Sequence, residues 1–120
     1  MGRVKVIFTL PKTIVAPGTH IPAPERWPKG PLAYVEWYTR QATIAHKDHG
    51  MYQISKATDS NEQQQGTIIP LANIQQSCML FPIFHGDVAE RQWLPHNILD
   101  NANSFLVNNW LNKYFYQTVW

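Results

Sequence analysis

The sequence has one cysteine, little net charge and no long apolar run. Because Cys78 is the only thiol among the 120 residues, an intrachain disulfide is excluded and the chain fits a reducing compartment. Ten Lys and Arg residues stand against eight Asp and Glu residues, a formal net charge of +2. Charge alone therefore does not predict a nucleic-acid binder. No apolar stretch approaches the length of a membrane span.

Internal repeats and long helical patterns are also missing, whereas short alternating apolar segments recur along the chain. The predicted strands lie at residues 4–10, 31–40, 51–56, 67–74, 78–84, 105–109 and 114–120. One or two helical turns are expected within residues 96–103. Pro70 predicts that its strand lies at a sheet edge or carries a bulge, and Pro82 predicts an edge strand or a kink. The pattern predicts one all-β domain, a small, partly open barrel of six or seven strands with long loops and short helical turns.

Residues 31–40 (PLAYVEWYTR) give the densest strand signal. Strict alternation would place Tyr34, Glu36 and Tyr38 on one face, and Val35 and Trp37 on the other. Large side chains on both faces predict a central strand. Residues 11–30 precede it and contain five prolines, so we expect a long loop without regular elements, ordered in part by packing of Trp27.

Four segments resemble those of a bromo-adjacent homology (BAH) domain, a barrel-like module that reads chromatin. They are VKVIF at 4–8, YVEWYTR at 34–40, IIPLANIQQSCMLFP at 68–82 and SFLVNNWLNKYF at 104–115. The second resembles a strand that ends in an aromatic pair and an arginine, and the third an apolar strand followed by a polar turn and a cysteine. The long proline-rich segment before the central strand departs from that family. The resemblance implies a BAH/SH3-like barrel.

A second resemblance covers most of the chain. It comprises an RV-V-F-P opening in residues 3–11, LAYVEW with a following aromatic at 32–38, HG-Y-S at 49–55, IIP--I--S--L-P-F at 68–84 and SF-VN at 104–108. This order is similar to a domain near the C-terminus of transposase-like proteins of fungal Plavaka-type mobile elements, whose catalytic domain lies elsewhere. The resemblance implies an accessory module of a DNA-handling protein or of a domesticated copy of one, and we expect it to act in the nucleus. The start at Met1-Gly2 and the abrupt end at Trp120 lead us to expect a segment excised from a longer protein.

The leading hypothesis is a non-enzymatic module that binds a histone peptide or another protein segment. Its predicted site is an aromatic groove formed by Tyr34, Glu36, Trp37, Tyr38 and Tyr52. Aromatic faces attract a methylated lysine or pack on an extended peptide. The structural alternative is that the rings are core and cross-strand packing residues, and that Glu36 pairs with Lys5 or Lys56. On the binding hypothesis, Trp37→Ala and Tyr38→Ala lose the ligand and stay folded.

Two other functions stay open. Basic residues concentrate in the first half of the chain and would contact phosphates without sequence preference, with strong salt dependence. This alternative site comprises Lys12, Arg26, Trp27, Lys29, Arg40 and Lys47. The third hypothesis is a structural or dimerisation domain of a transposase. An ordinary solvated surface accounts for the same charges without a ligand.

Enzymatic chemistry finds little support in the sequence. His46, Asp48 and His49 lack the paired spacing typical of zinc sites. Cys78 lies in an apolar segment with no neighbouring base, as expected for a thiol that packs as a small hydrophobe. The acidic residues show no spacing that would gather three carboxylates around two metal ions. We therefore expect no catalytic residues, no metal and no cofactor.

Overall fold

The computed structural model describes residues 1–86 and 88–108. The strands are β1 (Gly2–Phe8), β2 (Thr13–Ala16), β3 (Thr19–Pro22), β4 (Leu32–Arg40), β5 (Tyr52–Lys56), β6 (Gly66–Pro70), β7 (Met79–Pro82) and β8 (Ser104–Asn108). One short helix, α1 (Ile98–Asn101), and two 3-10 turns, Leu71–Asn73 and Val88–Gln92, complete the described elements. Six of the strands form a curled antiparallel sheet, a half-barrel. The predicted small all-β, barrel-like fold is confirmed.

Strand β4 is the centre of this sheet. One of its edges pairs with β1, while the other pairs with β6 along residues 32–36 and with β5 along residues 38–40. The change of partner occurs at Trp37, whose backbone N donates to Gln65 O at 2.8 Å and whose O accepts from Ala57 N at 2.9 Å. The nine residues of β4 therefore belong to both halves of the curled sheet. The prediction of a central strand is confirmed.

Strand β4 buries side chains on both of its faces. Ala33 and Val35 are buried on one face, and Leu32 and Tyr38, which have the opposite parity, are buried as well. The Tyr38 ring meets Phe105 edge-on, with the ring centroids 5.7 Å apart. Tyr38 thereby joins a core cluster whose other buried members are Ile54, Ala102, Phe105 and Val107. Burying each of the larger apolar side chains stabilises the fold by about 1.5–3 kcal/mol.

The two prolines in predicted strands lie at strand ends on sheet edges. Pro70 is the last residue of β6, which pairs only with β4, and a 3-10 turn follows it. Pro82 is the last residue of β7, which pairs only with β8. Both edge predictions are confirmed within the described residues. The seventh predicted strand, at residues 114–120, lies outside the described residues.

Residues 11–30 correct the prediction of a loop without regular elements. Strands β2 and β3 pair from Thr13 with Pro22 to Ala16 with Thr19, forming a two-stranded ribbon. Its turn is Pro17-Gly18, and Gly18 adopts a φ of 81°, which glycine tolerates without steric cost. The prolines occupy the turn and the end of the ribbon, so they remove none of its central backbone donors. Counting prolines without regard to position caused the wrong prediction.

Helix α1 lies in the segment where one or two helical turns were predicted. Ala102 N donates to Ile98 O at 2.9 Å and closes the turn. Ile98 and Leu99 pack against the core cluster, while Asp100 points toward β1. The helix therefore covers the side of β4 on which Tyr38 is buried. The prediction of a short helical element is confirmed.

Candidate functional site

An apolar groove of about 710 Å³ lies on the half-barrel. Its walls are the start of β1, the middle of β4, the segment of residues 73–78 and helix α1. The apolar lining includes Val4, Val35, Trp37, Ile69, Ile74 and Leu80. Amide side chains of Asn73 and Gln75 stand on one wall. Such a mixture of apolar surface and a few polar groups is typical of binding sites.

Two contacts hold Trp37 in place. Its indole Nε1 donates a hydrogen bond of 2.8 Å to Oγ1 of Thr67 on β6. Gly2 also lies close to the ring, because an added Cβ would stand 3.1 Å from Trp37 Cε3 and 3.0 Å from Glu36 O, besides colliding with Val35. The pairing of Gly2 opposite Trp37 in the sheet produces this close approach. The ring is therefore pre-positioned beside the groove.

Tyr38 reaches the same groove from the core. Its side chain is almost fully enclosed, with 8% of the residue exposed. Burial raises the pKa of the phenol above its ordinary value, with smaller effects from nearby charges. Within the described residues its hydroxyl has no hydrogen-bond partner. Tyr38 is consequently a packing residue with one polar atom aimed away from water.

Cys78 and Met1 meet at the groove wall. The Cys78 thiol lies 3.8 Å from the Met1 sulfur, and both side chains pack against the core cluster. Burial raises the pKa of the Cys78 thiol, and the N-terminal charge opposes that effect only in part. A thiol with a raised pKa is a weak nucleophile at neutral pH. The geometry supports the packing role that the sequence favoured.

A charged network borders the groove. Arg3 donates to Asp100 at 2.6 Å, and Lys5 Nζ lies 3.7 Å from Glu36 and 3.6 Å from Asp100. The hydrogen bond and charge of Arg3 hold the pKa of Asp100 below its ordinary value. Lys56 donates to the backbone O of Asp100 at 2.6 Å, and burial lowers its pKa. The predicted pairing of Glu36 with Lys5 is confirmed.

The five residues of the predicted aromatic groove do not converge on one point. Trp37 and Tyr38 line the groove, but Glu36 belongs to the charged network beside it. Tyr34 pairs with Val6 and Ile68 on its two neighbouring strands and lies over Gly66. Tyr52 sits farther along, with the Arg40 guanidinium 5.6 Å from its ring centroid. A cage built from all five is therefore not formed, and two of them share the groove.

The predicted nucleic-acid residues separate into two groups. The first group lies in the connection between β1 and β4, before the start of β4; its members are Lys12, Arg26, Trp27 and Lys29. Trp27 is half-buried, as expected from its predicted packing. Arg40 ends β4 and Lys47 follows it. A nine-residue strand spans about 30 Å at roughly 3.3 Å per residue. The set therefore does not form one continuous basic patch.

The histidine-containing loop after β4 is held by local hydrogen bonds. His46 and His49 stack with ring centroids 4.2 Å apart. Each Nδ1 accepts from a backbone N–H two residues on, that of Asp48 at 3.3 Å and that of Met51 at 3.2 Å. Over residues 1–86 and 88–108, no group of three or more His, Cys, Asp or Glu side chains is close enough to hold a metal ion. Nor does any described helix have the length and apolarity needed to cross a membrane.

Sequence reasoning missed the role of Glu90. Its carboxylate is 9% exposed and accepts hydrogen bonds of 2.7–2.9 Å from the backbone N–H groups of His85 and Gly86. It borders a polar cleft of about 500 Å³ that Asn97, Asn101 and Asn103 also line. The one signal in the sequence was a carboxylate four residues after a glycine. Glu90 therefore anchors the turn after β7 through these two backbone N–H groups.

No family profile, curated protein or solved structure matches the chain. The resemblances to BAH domains and to Plavaka-type proteins therefore stay predictions from the sequence. The groove beside Trp37 is the strongest functional feature in the part of the chain that the structure describes.

Proposed function

We propose that this chain is a non-enzymatic binding module whose groove takes an extended segment of a protein partner. The observation that carries the proposal is the groove itself, which has a volume of about 710 Å³ and a largely apolar lining on the paired sheet. A peptide in this position inserts its apolar side chains beside Trp37 and Ile74. Its backbone groups reach the amides of Asn73 and Gln75, which offer both donors and acceptors.

The leading candidate ligand is a histone tail, which the BAH resemblance suggests, and the parent protein is proposed to be transposon-derived and nuclear. The charged network adds a constraint on the ligand. Its carboxylates, on Glu36 and Asp100, are already engaged by Arg3 and Lys5. A basic tail is therefore bound chiefly through apolar and backbone contacts, with the Trp37 face available to a methylated lysine. DNA ranks below a peptide because the basic residues are divided between the two ends of β4.

An NMR titration of the isotope-labelled 120-residue chain tests this proposal. A pool of histone-tail peptides is added first, then a short DNA duplex, each at two salt concentrations. We expect the peptides to shift the Trp37 indole resonance and the amides of residues 73–78, with shifts that persist at higher salt. Absence of shifts with every peptide overturns the histone proposal. Shifts with DNA alone that vanish as salt rises favour phosphate binding instead.

Matched tryptophan variants locate the site. Trp37→Ala is expected to weaken peptide binding at least about 30-fold, the loss typical of an aromatic anchor at the centre of an interface. Trp27→Ala, outside the groove lining, is the control and should keep the affinity within about threefold. Equal losses for both variants contradict binding in the groove.

A further inference from the structure

The ribbon of β2 and β3 exposes apolar side chains that its own chain leaves uncovered. Val15 is 71% exposed on one ribbon face, and Ile21 is 50% exposed on the other, paired with Ile14. Among the strands that the structure describes, these two pair only with each other. An isolated two-stranded ribbon is marginally stable in water, because it lacks a third strand or a packed face. A ribbon of this composition is stabilised by inserting into an apolar surface.

The groove is such a surface, and it lies at the other end of β1 from the ribbon. Met1, Gly2, Arg3 and Val4 line the groove at the start of β1, whereas the ribbon follows Phe8, the last residue of the strand. Strand geometry separates the two by about 20 Å along β1. This separation along β1 favours a groove on another molecule over the chain's own groove.

The segment that contains the ribbon and the loop of residues 57–65 carry opposite charges. Residues 9–31, which contain the ribbon, carry Lys12, Arg26 and Lys29 against Glu25, a surplus of positive charge. The loop of residues 57–65 carries Asp59 and Glu62 and no cation. This loop leaves and re-enters the sheet at Trp37, through Ala57 N to Trp37 O and Trp37 N to Gln65 O. The loop that contacts the backbone of Trp37 therefore carries two negative charges, whereas the segment that contains the ribbon carries a net charge of +2.

We propose that two copies of this chain associate by reciprocal exchange of ribbons, each ribbon entering the groove of the other copy. The inference rests on the proposed function, since it names a second copy as the occupant of the same groove. Val15 or Ile21 packs beside Trp37, and Lys12 approaches the loop that carries Asp59. Reciprocal exchange closes a two-fold dimer. Each of the two contacts then needs to bury about half of the ~1,200 Å² found at the lower end of specific interfaces.

Sedimentation equilibrium on the full chain tests the inference. We expect a concentration-dependent dimer for the native sequence. Val15→Lys combined with Ile21→Lys should raise the dimer dissociation constant at least about 100-fold, since both exchanged ribbons lose their apolar contacts. Ile44→Lys is the matched control, because Ile44 is 79% exposed and lies outside both ribbon and groove; it should leave the dimer intact. A native chain that stays monomeric at millimolar concentration overturns the inference, as does a ribbon variant that still dimerises.

Mixing two monomeric variants gives a second, independent readout. Ile74→Lys places a charge in the groove and should also abolish dimerisation. The ribbon variant retains an intact groove, and the groove variant retains an intact ribbon. Their mixture therefore restores one of the two contacts, and a heterodimer weaker than the native dimer is expected. Failure to form any heterodimer contradicts reciprocal exchange, even where circular dichroism shows both variants folded.

The failure of this inference is distinguishable from failure of the proposed function. A monomeric chain whose Trp37 indole shifts with histone-tail peptides retains the peptide-binding function and loses the ribbon exchange. A dimer abolished by the ribbon substitutions, with no response to any peptide, supports the ribbon as the occupant and overturns the histone tail as the partner.

Discussion

The indole of Trp37 and the hydroxyl of Thr67 share a hydrogen bond of 2.8 Å that joins β4 to β6 beside the groove. It forms at the residue where β4 changes partner from β6 to β5. The same contact therefore fixes a sheet junction and orients the aromatic ring of Trp37, which lines the groove.

Thr67→Val is expected to loosen that ring at little cost in stability. The substitution removes the acceptor and retains the branched shape, so the free energy of unfolding should fall by about 0.5–1.5 kcal/mol. Peptide affinity should fall by roughly threefold to tenfold, because Trp37 loses its fixed orientation. Urea unfolding measures the first quantity and NMR titration the second. Unchanged affinity would show that the hydrogen bond serves the sheet alone.

Tyr38→Phe is expected to stabilise the protein. The hydroxyl is buried without a hydrogen-bond partner among the described residues, and removing such a group recovers about 1–2 kcal/mol of desolvation cost. Tyr38→Ala should instead destabilise by about 3–5 kcal/mol, since it opens a cavity against Phe105. This expected loss of stability differs from the prediction, made from the sequence, that Tyr38→Ala leaves the fold intact. Thermal and urea unfolding of both variants measure the effects, and a destabilised Tyr38→Phe would reveal a partner for the hydroxyl.

Gly66→Ala is expected to destabilise through Tyr34 alone. A Cβ at Gly66 would meet the Tyr34 hydroxyl and ring, and relieving that overlap costs about 1–3 kcal/mol. The matched control is Gly66→Ala in a Tyr34→Ala background, where the overlap is gone and the second substitution should cost under about 1 kcal/mol. A double-mutant cycle by urea unfolding measures the coupling. Purely additive effects would place the strain in the backbone of β6.

The pair of Arg3 and Asp100 predicts a pH dependence of stability. Because the pKa of Asp100 in the fold lies below its ordinary value of 3.8, the unfolded chain binds the proton more readily. The stabilisation is therefore present above the ordinary pKa and is lost as pH falls below it, through the lowered value in the fold. At pH 6 the free energy of unfolding of the native chain should be larger than that of the Asp100→Asn variant. This difference in free energy, the gap, should become smaller below about pH 4.

Urea unfolding between pH 2 and pH 6 measures that gap. The control is the same comparison in an Arg3→Gln background, where the main cause of the lowered pKa is removed and the narrowing should largely disappear. A gap that stays constant through the acid range would mean that the carboxylate titrates alike in the folded and unfolded chains.

The sequence by itself determined where most strands lie. Alternating apolar residues locate β1, β4 and β5 because the side-chain period of a strand is local and needs no partner to be recognised. Pro70 and Pro82 likewise mark edge positions, since a residue without an N–H cannot donate to a central ladder. The turn residues Pro17-Gly18 likewise indicate the ribbon, but the prediction for residues 11–30 followed the number of prolines and not their positions.

Only the tertiary structure decided which faces of those strands are covered. Tyr38 and Trp37 are neighbours of opposite parity, yet both line the groove. Between them the pairing of β4 changes from β6, up to residue 36, to β5, from residue 38. Strands β5 and β6 both lie far from β4 along the chain, and the local side-chain period does not show where the pairing changes from β6 to β5. Glu90 shows the same limit, since its role depends on the two backbone N–H groups that the fold brings to its carboxylate. Strand positions follow from local side-chain periodicity, whereas burial and binding surfaces follow from pairing between distant segments.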